Sequence, residues 1–100
     1  MILSVQQIKF EMLAYIKEFG GSFADWYVGV AAEPVRTLTE QHGLDPRLDI
    51  WLYKQALTAR ACGTIQSFFL RKLGTDGIDC PPAEDADCVY LYKKTHRTRP

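Results

Sequence analysis

The sequence predicts a small α+β domain, a three-stranded sheet with two to three helices packed on it. Three observations lead there. One hundred residues with 47% hydrophobic content suffice for one core and leave no room for a second. Two long stretches repeat apolar residues at three- and four-residue spacing, the pattern of helices with one buried face. Three short runs rich in aromatic and β-branched residues suit strands, and the chain is too short for a large doubly wound sheet.

Residues 4–19 read as the first helix. Val5, Ile8, Met12, Leu13, Ile16 and Phe19 form its apolar stripe, Ser4 is placed to cap it, and Gly20-Gly21 stops it. Phe10 falls off the stripe, either as a scattered surface aromatic or as a contact for a partner. Residues 26–31 form a strand. Pro34 suits a first helical turn, and the helix over 34–42 presents Val35, Leu38 and His42 on one face before Gly43 ends it. Asp45-Pro46 turns the chain. The run 49–57, with Ile50-Trp51-Leu52-Tyr53 apolar towards both faces, predicts the central strand of the sheet rather than an edge. Residues 58–73 make the second long helix, with Cys62, Ile65, Phe69 and Leu73 inward and Gly74 as its cap. An acidic loop containing Pro81-Pro82 leads to a last strand at 88–94. The order is α-β-α-β-α-β, with one domain over 1–94 and a basic tail over 95–100.

Twelve basic residues balance twelve acidic ones, so no global field steers the chain towards nucleic acid. The charges are nevertheless segregated. Asp76, Asp79, Glu84, Asp85 and Asp87 occur without a base, and the C-terminal stretch carries Lys93, Lys94, His96, Arg97 and Arg99 without an acid. Three cysteines cannot all pair and show no CxxC spacing, which points to a reduced, cytoplasmic setting without a structural metal. No segment approaches membrane-spanning length. Asp76 and Asp79 flank Gly77 but lack the ladder of oxygens of an EF-hand loop.

The most specific stretch is Trp26-Tyr27-Val28-Gly29-Val30, followed by Glu33-Pro34-Val35-Arg36 and closed by His42-Gly43. It resembles the second half of the GIY-YIG endonuclease core, in which a Tyr-Ile-Gly strand feeds a helix bearing a catalytic Arg. The resemblance covers about residues 26–73. It implies a site built from a Tyr in each half of the family name, an Arg on the first helix and a metal-binding Glu on the next. Physically, cutting a phosphodiester calls for a general base, a divalent ion and a cation for developing charge. Carried over, the site residues are Tyr27, Arg36 and Gln66, with His42 a further candidate. The Arg belongs seven or eight residues beyond the Gly; Arg36 sits at seven and Thr37 at eight, which on a helix differ by about 100°. Gln66 stands where the Glu belongs and brings no negative charge for a hard cation, so Mg²⁺ is implied only if the site is active. The first half of the name is missing as written. Tyr15 lies about the right distance upstream but inside the first helical pattern.

Each candidate also has a plain structural reading. Tyr27 serves equally as a strand aromatic, Arg36 as a solvated helix residue, and His42 as a helix C-terminal residue favoured by the dipole. Gln66, on an apolar face, must satisfy its amide by a structural hydrogen bond. Three functions compete. One is a nuclease-like domain without robust catalysis, the alternative for the same site being an active metal-dependent endonuclease. Another is a DNA- or RNA-binding module using Lys93, Lys94, Arg97 and Arg99 with Tyr90 and Tyr92, the alternative for that tail being a frayed, solubilising end. The third is a homodimeric scaffold using the first helix.

Overall fold

The computed structural model describes all 100 residues. Helix α1 spans Val5–Phe19, strand β1 Trp26–Ala31, helix α2 Pro34–Glu40, strand β2 Trp51–Gln55, helix α3 Ala59–Phe68 and strand β3 Cys88–Lys93. The three strands form one antiparallel sheet in the order β1-β3-β2. Ser4 caps α1 by accepting from the Gln7 amide, and Thr58 caps α3 by accepting from the Ala61 amide. The last turn of α3 widens to i→i+5 hydrogen bonding over Phe69–Leu73 and stops at Gly74, whose φ of 85° is left-handed.

The sheet has two covered faces. On one, Trp26, Val28, Val89 and Leu91 meet Ile8, Met12 and Ile16 of α1 and Cys62, Ile65 and Phe69 of α3. On the other, Tyr27, Tyr90 and Tyr92 pack under Leu38 of α2 and Leu44. The period-2 alternation of Val89-Tyr90-Leu91-Tyr92 sends aliphatic side chains to the helix-covered face and both tyrosines to its opposite. Leu38, His42 and Leu44 are buried, whereas Val35, expected beside them, points to solvent.

The run at 49–57 supplies an edge strand, β2 at Trp51–Gln55, against the expectation of a central one. β3 takes the centre, its first five residues all buried, while Tyr53 of β2 is 43% exposed. Both runs are apolar towards both faces, so their composition alone does not rank them. What ranks them is that β3 can pair with β1 on one side and β2 on the other. Each outer edge is then capped. On β1, Asp76 donates to Trp26 O at 2.8 Å and accepts from Val28 N at 3.0 Å. On β2, the Leu3 amide donates to Gln55 O at 3.0 Å and the Tyr15 hydroxyl to Trp51 O at 2.9 Å. Few ladder groups are left to template another chain.

Helix α2 ends at Glu40, two residues before the predicted boundary. The Leu44 amide reaches back to Leu38 O at 3.0 Å, and Gly43 takes φ 67°. That reversal turns the His42 ring back onto the tyrosine face. The segment after β3 does not fray either, as described below. Phe10 stands alone and 72% exposed on α1.

The Thr75 hydroxyl is buried without a hydrogen-bond partner. Replacing it with an isosteric methyl removes an uncompensated polar group, so Thr75→Val is expected to raise unfolding free energy by about 1 kcal/mol. Urea denaturation at unchanged m-value checks this, and a loss of stability would show that the hydroxyl is satisfied.

Candidate functional site

The tyrosine face carries the chemistry. Tyr27 on β1 sits between the two tyrosines of β3, with ring centroids 6.2 Å from Tyr90 and 5.2 Å from Tyr92, both nearly parallel. Gly29 pairs with Tyr90 across the ladder, and a Cβ there would overlap the Tyr90 ring. The glycine is thus demanded by close approach, not by backbone angle. The His42 ring lies over this group, 4.7 Å from the Tyr27 ring.

His42 is 5% exposed, and both its nitrogens are engaged. Nδ1 is 2.6 Å from the carbonyl oxygen of Arg99, and Nε2 is 2.7 Å from the Tyr90 hydroxyl. A carbonyl can only accept, so Nδ1 carries the proton and Nε2 accepts from Tyr90. The Tyr92 hydroxyl also donates to Arg99 O, at 3.1 Å. Burial lowers the His42 pKa against a smaller opposing effect of its bond to Arg99 O, so the ring is held neutral. Burial likewise raises Tyr90 and Tyr92, each also beside the Tyr27 ring, and keeps both phenols protonated. Tyr27 is raised by burial, then by Asp76 and Cys80. Its hydroxyl makes no hydrogen bond within the chain and faces a cavity of about 380 Å³.

Gln66 of α3 closes the other side of that cavity. Its amide nitrogen donates to Val28 O at 3.2 Å, occupying the outer edge of β1 and leaving the side-chain oxygen for the cavity. Thr37, Gln41, Cys80 and Ile78 complete the wall. No side-chain carboxylate or guanidinium lines it.

The structure brings Tyr27, His42 and Gln66 together and leaves Arg36 outside. Arg36 is solvent-exposed, bonded to Glu40 at 2.7 Å with Glu33 at 3.8 Å, and it is Thr37, one position on, that faces the cavity. The reason is the helix rotation per residue: with Leu38 fixed inward, position 37 turns to the cavity and position 36 to water. Tyr15 lies on α1, on the other side of the sheet. The tyrosines beside Tyr27 come from β3 instead. The alternation in Val89-Tyr90-Leu91-Tyr92 was the available signal; Thr37 was marked only by its place eight residues beyond Gly29, and Cys80 carried none.

The four basic residues of the C-terminal stretch are held against the fold. Lys94 pairs with Asp76 at 3.1 Å, Arg97 with the fully buried carboxylate of Asp49 at 2.6 Å, and Lys93 Nζ donates to Phe19 O at 3.2 Å. Arg99 is fixed through its backbone, its amide donating to His42 O at 2.7 Å. Tyr90 and Tyr92 are buried and cannot present rings to a base.

A hard divalent cation needs several oxygen ligands, carboxylates among them. The side chains lining the cavity offer two amides, hydroxyls, one thiol and an imidazole whose nitrogens are both engaged, and no group of three or more His, Cys, Asp or Glu that could hold a metal occurs in the chain. Asp76 and Asp79 are committed to Lys94 and Arg71. The residues present do not fit the ion that the sequence resemblance implies. Cys62, Cys80 and Cys88 are free thiols, and burial pushes Cys62 up to about 11, so it is not a ready nucleophile. Compared with known proteins, the chain matches no family model, no curated protein and no solved structure.

Because the folded state holds His42 below its ordinary value of 6.5, the unfolded chain binds more protons there. Its contribution to stability is therefore complete above pH 6.5 and lost as pH falls below that value towards the folded pKa. In chemical denaturation across that range, His42→Gln is expected to be less stable than the parent at neutral pH and to show a flatter decline on acidification. Parallel declines would assign the pH dependence to other groups.

Proposed function

We propose that the chain is a GIY-YIG-like domain that binds nucleic acid without hydrolysing it. The observation that carries this reading is the composition of the cavity wall. Tyr27 and a second tyrosine, supplied by β3 and not by an upstream half of the motif, stand side by side on one face of the sheet, and a glutamine and a threonine occupy the places where the resemblance calls for a carboxylate and a guanidinium. A hydrogen-bonding pocket remains, but the two charges that would bind a divalent ion and stabilise a pentacovalent phosphate do not.

The path of the strand follows from a second depression. It has a volume of about 480 Å³, shares Gln66 and Cys80 with the tyrosine cavity, and is lined by Arg60, Thr64, Ser67 and Arg71 of α3 and its extension. Those positions recur at spacings of four, three and four, which align them on one helical face. Arg60 pairs with no acid, and the Arg71–Asp79 pair is exposed on both sides, so a phosphate can replace Asp79 at small cost. Arg60 and Arg71 line this depression together, whereas Lys94 and Arg97 are each paired with an acid and Lys93 with Phe19 O.

Two measurements test this. Plasmid and branched DNA are expected to stay intact with magnesium or manganese; cutting that Tyr27→Phe abolishes would make the chain an enzyme. In fluorescence anisotropy with a single-stranded oligonucleotide at two salt concentrations, the double variant Arg60→Glu/Arg71→Glu is expected to weaken binding at least about tenfold and to lower the salt slope by roughly 0.7 per lost phosphate contact. Equal binding by parent and variant would remove the helix from the interface.

Gln66→Glu separates the site's structural role from its chemical one. A carboxylate facing Val28 O replaces a donor with an acceptor, so it is expected to destabilise the fold by about 1–3 kcal/mol in urea denaturation. An unchanged midpoint would show that the amide bond to Val28 is dispensable.

A further inference from the structure

The segment after β3 is held in the manner of a bound peptide. Residue 99 is gripped through its backbone on both sides: its amide donates to His42 O at 2.7 Å, and its carbonyl accepts from His42 Nδ1 at 2.6 Å and from the Tyr92 hydroxyl at 3.1 Å. Such a grip is indifferent to the side chain at that position. Two residues earlier, Arg97 enters a charge-assisted bond of 2.6 Å with Asp49, whose side chain is fully buried and whose second oxygen accepts from the Asp45 amide at 2.7 Å. Gly43 provides the seat for residue 99. A Cβ there would lie 3.0 Å from the Arg99 guanidinium and 3.4 Å from Arg97 O, so the missing side chain makes the room. A turn closed by Thr98 N to Thr95 O at 3.2 Å and by Thr95 N to the Thr98 hydroxyl at 3.0 Å preforms the segment.

Each of these groups is also anchored outside the segment. His42 is held by the turn after α2 and by Tyr90, Tyr92 by the central strand, and Asp49 by the Asp45 backbone. With the segment lifted away, the groove would present two converging donors, one acceptor and one buried carboxylate. That set is complementary to an arginine two residues before a free peptide unit, and the negative charge of Asp49 selects a basic peptide over an acidic one.

We propose that the groove formed by His42, Gly43, Asp49 and Tyr92 is a recognition site for an extended peptide with an arginine two residues before the gripped peptide unit, which the chain's own Arg97-Thr98-Arg99 occupies in cis and a partner's arginine-bearing segment can occupy in its place. Pro100 lines the tyrosine cavity, so such an exchange also uncovers one side of that cavity. The proposal stands apart from the nucleic-acid reading, since no residue that defines the groove faces Arg60 or Arg71.

The test uses the full chain, isotope-labelled, as parent and as Arg97→Ala, titrated with an end-blocked synthetic peptide of the sequence Lys94–Pro100. Tethering gives the resident segment an effective concentration on the order of millimolar, so the parent is expected to resist exchange. In Arg97→Ala the amides of 95–99 are expected to lose hydrogen-exchange protection while those of β3 keep theirs. Added peptide is then expected to restore the His42 ring-nitrogen and Tyr92 signals. A peptide with alanine at the Arg97 position, or with the same residues scrambled, is expected to bind at least about tenfold more weakly. Arg97→Gln repeats the measurement should the alanine variant be poorly folded. Three results would overturn the proposal: loss of β3 protection together with the segment, no response of His42 to millimolar peptide, or equal binding of the scrambled peptide.

Discussion

The bond from the Tyr90 hydroxyl to Nε2 of His42 is the interaction on which the remainder of this molecule's second face depends. The acceptor-only carbonyl of Arg99 fixes the tautomer of this buried imidazole by taking the Nδ1 proton, and Nε2 is left to accept from Tyr90. Through one ring the central strand, the turn after α2 and the C-terminal segment become a single unit. Low local polarity strengthens each bond and makes each costly to leave unpartnered. Gly29 is part of the same arrangement, because only a residue without a side chain lets the Tyr90 ring lie against β1.

That network divides the three tyrosines by role. Tyr90 and Tyr92 spend their hydroxyls on His42 and Arg99, whereas Tyr27 keeps its own for the cavity. The opposite wall is set by Gln66, whose amide completes an edge strand. An ionised carboxylate at that position could not make the same bond, so the side chain that finishes the sheet is also the one that denies a hard cation its anionic ligand. Completion of the edge and the absence of a negative charge at this point of the cavity wall are linked through one residue.

The charge pattern of the sequence has a different meaning in three dimensions. Charges that look segregated along the chain find partners across it: Asp76 of the acidic stretch pairs with Lys94 of the basic one, Asp79 with Arg71 of the helix before it, and Arg97 with Asp49 far upstream. A run of cations is a nucleic-acid signal only while the cations are unpaired, and pairing is decided by folding. The unpaired Arg60, isolated between neutral residues on α3, attracts no notice in the sequence.

Helix and strand positions, the caps at Ser4 and Gly74 and the inward stripes of α1 and α3 were legible in the sequence, because they follow from local periodicity and from backbone preferences of single residues. Tyr27 and Gln66 were legible as candidates on the same grounds, one on a strand beside a glycine and one on an apolar helix face. Strand order was not, since two runs apolar towards both faces compete equally for the centre until pairing partners are counted. Nor was the side of α2 that meets the cavity: a shift of one residue turns the helix by about 100°, and only the packing of Leu38 sets it. The companions of Tyr27, separated from it by more than sixty residues, and the seat of the C-terminal segment on His42 and Asp49 arise from long-range contacts, which local sequence rules do not encode. What the sequence by itself determined are the elements and their buried faces; which side chains share a cavity was decided by how those elements pair.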